Sequence, residues 1–318
     1  MPTVSIVKDW DWPDLRRQTP GGSGRWEGVH FALDNAAPCD LLVVLNNRMR
    51  TTTRAVCPPA NVWAVMQEPH HPGFNDWMVE NHQPFQRFFT HHPPSDHPRY
   101  VRSQPALPWH INRSFDELSD GDIPEKRRAL SWVVGNARDL PGHVLRWRFL
   151  KALQQQRLDM DLLGRAVAPI EDKWDGLAPY RYSLAVENTS KPDYWTEKVA
   201  DCFLSWTVPI YFGCTNLEDY FPADAFIRID ITDPGNGIRQ LRGIMENDNW
   251  ERRLEALGEA RRRVLYRYQL FPWLKQMIDR YGLSAEPPQT VVLPPYRRSI
   301  RATLLHWRYK LKRKVNRY

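Results

Sequence analysis

Short apolar runs that alternate with helical patterns constrain this chain more than any other feature. Thr3–Val7, Leu41–Leu45, Val62–Met66 and Arg87–Thr90 read as strands in the first half. In the second half Ala129–Val134, Met160–Leu163, Ser183–Val186 and Val208–Phe212 read as strands, with helices over about Gly142 to Gln156 and over Thr196–Trp206. A long helical region, Arg239–Arg280, comes after them. This alternation predicts an α/β fold of parallel sheets covered by helices, in which ligands gather at the carboxyl ends of the strands. A chain of 318 residues exceeds one ordinary core, so two domains are expected. The proline-rich stretch Pro93–Pro108 and the charged segment Asp120–Arg128 place the boundary near residue 125. The expected division is therefore 1–125, 126–290 and a tail, 291–318.

Composition excludes several classes. With 42% apolar and 25% charged residues the chain is not a disordered one. The N-terminus has no basic segment ahead of an apolar stretch, and no run of about 18 apolar residues occurs, so neither a signal peptide nor a membrane span is expected. Four cysteines without a C-x-x-C pair suit free thiols in a reducing compartment, which points to the cytoplasm. The net charge of +7 is not spread evenly: Arg297–Tyr318 holds nine Lys or Arg and no acid, which leaves the rest at 7 − 9 = −2. An enzyme of nucleic acid would carry positive charge on its working face, so that partner is not expected. The tail also repeats apolar residues at helical spacing: Ile300, Leu304, Trp307, Leu311 and Val315. Such a cationic amphipathic helix suits peripheral contact with an anionic membrane; the competing reading is a helix packed back on the body or a disordered tail.

One segment concentrates polar chemistry. After the strand at 183–186 come Glu187-Asn188, a polar loop, Thr196 as a helix N-cap, and Glu197 and Lys198 in the first turn. A first-turn cation opposes the helix dipole unless an anion such as a diphosphate sits there. The alternative is a solvated lysine. Elsewhere the signals point away from metal. His70-His71 and His91-His92 are adjacent pairs whose rings would face opposite sides of a strand, and Asp159-Met-Asp161 leads straight into a strand, so its carboxylates are expected to be solvated. No cofactor is expected.

Val186-Glu187-Asn188-Thr189, Asp193-Tyr194-Trp195-Thr196-Glu197-Lys198, Thr207-Val208-Pro209 and the run Tyr220–Ile227 together resemble the most diagnostic stretch of the family 10 glycosyltransferases, the α-1,3/4-fucosyltransferases, here of bacterial type. Val186 and Thr189 stand where the family has Phe and Ser. The resemblance covers about residues 130–235. It implies two facing Rossmann-like domains of GT-B architecture, with the donor, GDP-fucose, mainly on the C-terminal half as a substrate. It implies that Asn188, Tyr194 and Lys198 contact the diphosphate and sugar, and that Glu197 binds ribose hydroxyls or the positive charge developing on the sugar. Glu187 joins this donor-binding set. Asn136, after Gly135, and Arg146 match a strand-end asparagine and a basic residue beyond it that neutralises the leaving diphosphate.

An inverting transfer needs a base on the acceptor side. Glu68, in Val62–His70, resembles the family's strand-end glutamate and is the candidate, with a structural or acceptor-orienting carboxylate as the alternative. The expected reaction moves L-fucose to a glycan hydroxyl, in a bacterial surface-glycan precursor, without a metal. The alternatives are another GDP-sugar donor or a non-catalytic binder of nucleotide or glycan.

Overall fold

A computed structural model describes residues 1–33, 38–138, 140–156, 158–165 and 167–315. The chain forms two compact units, Met1–Ala106 with Leu270–Tyr318, and Leu107–Gln269. The first unit begins with strands β1 (Thr3–Val7), β2 (Arg25–Trp26), β3 (Val29–Leu33), β4 (Leu41–Leu45), β5 (Thr53–Cys57), β6 (Val62–Val65), β7 (Arg87–Thr90) and β8 (Tyr100–Arg102). Seven of them form one sheet in the order β2-β3-β1-β4-β6-β7-β8, parallel throughout except for the short edge strand β2. Every residue of β4, Leu-Leu-Val-Val-Leu, is buried, as a central parallel strand covered on both faces requires. From β3 to β8 the chain order across the sheet is 2-1-3-4-5-6, so the winding reverses between β1 and β4.

The second unit adds α1 (Phe115–Asp120), β9 (Arg128–Val133), α2 (Pro141–Gln154), β10 (Asp161–Leu163), β11 (Tyr180–Val186), α3 (Glu197–Leu204), β12 (Val208–Phe212), β13 (Ile227–Arg228), α4 (Pro234–Asn247) and α5 (Leu254–Arg263). Its sheet runs β10-β9-β11-β12-β13, all parallel. That is the order 2-1-3-4-5, and the winding reverses between β9 and β11. Loops leaving the carboxyl ends of these two strands part in opposite directions and open a crevice for a ligand.

The domain limits differ from those expected at 125 and 290. The chain leaves the first unit at Ala106. Residues 107–127 are held to the second unit by polar anchors that composition does not reveal. The His110 amide donates to the Asp201 carboxylate at 3.0 Å, Arg113 pairs with Asp172 at 3.2 Å, and the Lys126 ammonium donates to the Ala178 and Ser205 carbonyls at 2.8 Å each. Likewise the helical region 239–280 is interrupted at Gln269, whose backbone is extended, and the units divide there. The chain then rejoins the first unit with α6 (Leu270–Tyr281), β14 (Gln289–Leu293) and α7 (Ile300–Val315). Phe271 meets Phe31 and Trp273 meets Phe89, each pair with ring centroids 5.0 Å apart, and β14 pairs antiparallel with β5.

The tail forms a helix, as its pattern predicts. The helix α7 does pack on its own unit, but by the face opposite the apolar stripe. Ala302 is buried, the His306 Nδ1 is 2.7 Å from the Gly73 carbonyl oxygen, and Tyr309 packs against Phe74 with tilted rings and centroids 5.6 Å apart. At Gly73, φ is +81°, and a β-carbon there would collide with the Leu305 carbonyl. Ile300, Leu304, Trp307 and Leu311 point away, 84%, 60%, 62% and 62% exposed. Docking of the stripe on the body is thereby overturned. The Val315 side chain and residues 316–318 lie outside the described residues.

Candidate functional site

The crevice between β9 and β11 is where the sequence places most of its chemistry. The strand β11 is followed at once by Glu187, 1% exposed and facing the first turn of α3. Its carboxylate accepts from the Thr196 amide at 2.8 Å and from the Thr196 hydroxyl at 2.8–2.9 Å, and pairs with the Lys198 ammonium at 3.2 Å. Thr196 is the N-cap of α3, its hydroxyl accepting from the Lys198 amide at 3.3 Å. Lys198 also pairs with Glu197 at 3.2 Å. Gly213, after β12, must lack a side chain because a β-carbon would overlap that of Glu187.

The loop before the cap is pinned by its own residues. Asp193 adopts φ +60°, accepts from the Tyr220 hydroxyl at 2.7 Å and from the Asn216 side chain at 2.9 Å, and donates its amide to the Asn216 oxygen at 2.8 Å. Trp195 is buried among Tyr220, Phe221 and Tyr268. Tyr194 is buried as well, 2% exposed. Thus Asp193-Tyr-Trp-Thr-Glu-Lys198 is a positioning device whose last two residues face the crevice.

From the neighbouring strand, β9 leads into the loop carrying Gly135 and the exposed Asn136, then into α2. Arg146 on α2 reaches back to donate to the Gly135 and Ala137 carbonyls, each at 3.3 Å, while its Nε has no partner among the described residues. The first turn of α2 touches the loop after β11: a β-carbon at Gly142 would collide with the Asn188 carbonyl oxygen. Asn136, Arg146, Glu187, Asn188, Glu197 and Lys198 therefore lie together, and Tyr194 is buried in the loop that leads to the cap of α3. Glu68 belongs to the other unit, exposed just beyond the carboxyl end of β6.

Three residues of the cluster carried no sequence signal as a group. The Lys173 ammonium pairs with Asp201 on α3 at 2.7 Å and donates to the Glu197 carbonyl at 3.3 Å. His110 supplies its amide to Asp201, and its Nδ1 lies 4.0 Å from the Glu197 carboxylate. This histidine thus sits in the second unit. Asp201 alone was legible, four residues after Glu197 and so on the same helix face. Lys173 and His110 arrive from remote parts of the chain. Asp161, from the Asp-x-Asp pair, is tied to Arg128 at 2.6 Å and to the Tyr180 hydroxyl at 2.9 Å, instead of being solvated as expected.

The electrostatics follow from packing three carboxylates among cations. Burial alone would raise the Glu197 carboxyl, but Lys198, His110 and Lys173 outweigh it and hold the group far below the usual carboxylate range. Burial would lower the Lys198 ammonium, yet Glu187 and Glu197 raise it, so it stays charged. For Glu187 burial prevails and pushes the carboxyl up. Burial also lowers the Arg146 guanidinium, against Glu187 and Glu197. The result is a preorganised pair of cations beside an open strand-end crevice, suited to a diphosphate.

Residues 123–250 match the family described as glycosyltransferase family 10 (fucosyltransferase), C-terminal. Human 4-galactosyl-N-acetylglucosaminide 3-alpha-L-fucosyltransferase FUT5 is 32% identical over 72% of this chain and 63% of its own length. That stretch of the chain, residues 123–250, is similar to glycosyltransferase family 10. Among the other relatives, human alpha-(1,3)-fucosyltransferase 7 is 28% identical over 72% of this chain and 68% of its own length. The FUT6 enzyme of Pongo pygmaeus is 33% identical, but the match spans only 34% of its length and 39% of this chain. A crystal structure of an alpha1,3-fucosyltransferase superposes with a TM-score of 0.52 at 18% identity, covering 88% of each chain. The fold is that of GT-B glycosyltransferases. The family match centres on the unit that contains the Glu187–Lys198 cluster.

Proposed function

We propose that this chain transfers L-fucose from GDP-fucose to a hydroxyl of a glycan acceptor with inversion. The observation that carries this reading is the buried cluster at the β9/β11 switch point, where Lys198 on α3 and Arg146 on α2 approach from the helices that follow these two strands. The names of the relatives support the sugar, since human FUT5 is a 3-alpha-L-fucosyltransferase. In this reading Lys198 and Arg146 neutralise the diphosphate as it leaves with the electron pair of the broken bond to the sugar. Glu197 lies against the ribose or the developing positive charge. An acceptor oxygen forms the new bond from the opposite face, and its proton passes to Glu68. The cations occupy the role a divalent metal would otherwise fill. Asn136, Asn188 and Tyr194 complete the donor site. The acceptor is a bacterial surface-glycan precursor on the cytoplasmic face of a membrane. No helix among the described residues is long and apolar enough to cross a bilayer, and the outward stripe of α7 suits a peripheral hold.

Two measurements test the core of the proposal. Calorimetry is expected to show GDP binding well above UDP, and Lys198→Ala and Arg146→Ala each to weaken it by about 1.5–3 kcal/mol, the range of a charge-assisted contact. Equal UDP affinity, or unchanged GDP affinity in both variants, overturns the donor site. Glu68→Gln is expected to lower turnover about 100-fold or more with GDP affinity intact, since a general base acts in the transition state. Near-normal turnover moves the base elsewhere. A panel of GDP-sugars separates fucose from other donors, and NMR of the first-formed product reads the anomeric configuration. Failure to hydrolyse any GDP-sugar without acceptor favours a binder over an enzyme.

A further inference from the structure

The first unit has a switch point of its own, and nothing in the donor chemistry uses it. The sheet reverses winding between β1 and β4, so the crevice rule that locates the nucleotide in the second unit also points to the loops after these two strands. The loop after β1 reads Lys8-Asp-Trp-Asp-Trp12. Trp12 leaves 53% of its surface exposed, among the most open large aromatic side chains in the chain. Each indole is steadied by a cation: the Lys8 ammonium lies 5.0 Å from the Trp10 centroid and donates to the Trp10 carbonyl at 2.6 Å, and the Arg17 guanidinium lies 5.5 Å from the Trp12 centroid. The loop after β4 opens with Asn46, 5% exposed at φ +45°, whose side-chain oxygen has no hydrogen-bond partner among the described residues. A buried amide oxygen held without a donor in a left-handed backbone conformation, at a strand end, marks a place where a ligand hydroxyl or amide would supply the missing bond.

We infer that the loops after β1 and β4 form the platform for a sugar ring of the acceptor, with Trp12 and Trp10 supplying flat faces and Asn46 a hydrogen-bond acceptor. Flat indoles match the apolar face of a pyranose, and the exposure of Trp12, beside the half-buried Trp10, is costly unless something covers it. The spacing also suits the chemistry. The strands β1, β4 and β6 are consecutive in the sheet, so the end of β1 stands about 10 Å from the end of β6, two interstrand steps. A sugar resting on the indoles would thus place the next residue of a disaccharide beside Glu68, which comes after β6 within the same unit. The ligand class is a glycan of at least two residues bound through ring faces and hydroxyls. This assignment rests on the transferase reading for its purpose, but not for its test.

The test is glycan binding and kinetics on the full chain. A glycan array carrying neutral and anionic oligosaccharides, N-acetyllactosamine among them, is probed with wild type, Trp12→Ala, Trp12→Tyr and Trp10→Ala. Wild type is expected to be retained on a subset of glycans, Trp12→Ala to lose at least 10-fold in binding to that subset, and Trp12→Tyr to keep most of it. GDP affinity and acceptor-free hydrolysis of the donor stay at wild-type values, and the acceptor KM rises while kcat at saturating acceptor changes little. Thermal melts confirm that the exposed Trp12 can be replaced without unfolding. Retention of no glycan by wild type, equal retention by Trp12→Ala and Trp10→Ala, or a loss of GDP affinity along with glycan binding overturns the platform. Glycan binding that depends on Trp12 in a protein that does not bind GDP would sink the transferase reading and leave the platform standing.

Discussion

The two units use the same topological device and furnish it with opposite chemistry. At the switch point of the second unit, Glu187, Glu197 and Asp201 are packed among Lys198, Lys173 and Arg146, a nearly neutral set of charges largely shielded from water. At the switch point of the first, two indoles and one amide stand at the strand ends, with the exposed Glu68 at the next strand but one. A diphosphate needs cations held in place before it arrives, and buried cations are stable only when carboxylates hold them. A glycan hydroxyl group needs neither, so an open aromatic loop suffices. The first unit places its positive charge instead on the outer flanks of α7, where water screens it.

If the buried charges are mutually supporting, breaking one pair should cost far more than altering the exposed charges. The largest effect is expected from Lys198→Met, which strands the Glu187 carboxylate and should lower stability by about 3–5 kcal/mol in a denaturant melt. The double variant Glu187→Gln with Lys198→Met should recover a good part of that loss. Additive costs would show that the two residues do not form a unit.

A sharper comparison comes from acid. In the first unit His82 is buried, with its Nε2 2.7 Å from the Trp77 carbonyl oxygen and its Nδ1 3.1 Å from the Tyr100 hydroxyl, and burial lowers its pKa to about 4. The unfolded chain takes up the proton near pH 6.5 while the folded chain does not, so stability is complete above about 6.5 and is lost as pH falls toward 4. The loss amounts to roughly 3 kcal/mol. His82→Phe should flatten the pH dependence of the melt over that window, and an unchanged slope would place the sensitivity in another group.

The smallest effect on stability is expected from the tail. Replacing Arg301, Arg308, Lys310 and Lys312 by Gln should leave the thermal midpoint unchanged, yet abolish cosedimentation with anionic vesicles while transfer to a short soluble acceptor persists. A lower midpoint, or vesicle binding that survives, would show that these cations serve the fold and not a surface.

Much of the fold was legible because strands buried on both faces must be continuous apolar runs. Thr3–Val7, Leu41–Leu45, Arg87–Thr90 and Val208–Phe212 have the bounds expected of them. The donor cluster was legible in its local part, Glu187 to Lys198, since a strand end, a cap and a first turn are sequence-adjacent. The strands β2, β3, β5, β8, β13 and β14 escaped detection, β2, β8 and β13 being too brief to show a period.

By itself the sequence determined the α/β class, the family 10 segment and the cationic amphipathic character of the tail. Those properties depend on residues close together along the chain. Only the tertiary structure decided that Lys173 and His110 join Glu197 and Asp201, that the chain returns to its first unit at Leu270, and which face of α7 meets the protein. Periodicity shows that a helix has an apolar stripe; whether that stripe is covered depends on what else the helix can pack with. In α7 the small Ala302 and the polar edges of His306 and Tyr309 made the closer fit, which left Leu304, Trp307 and Leu311 facing out.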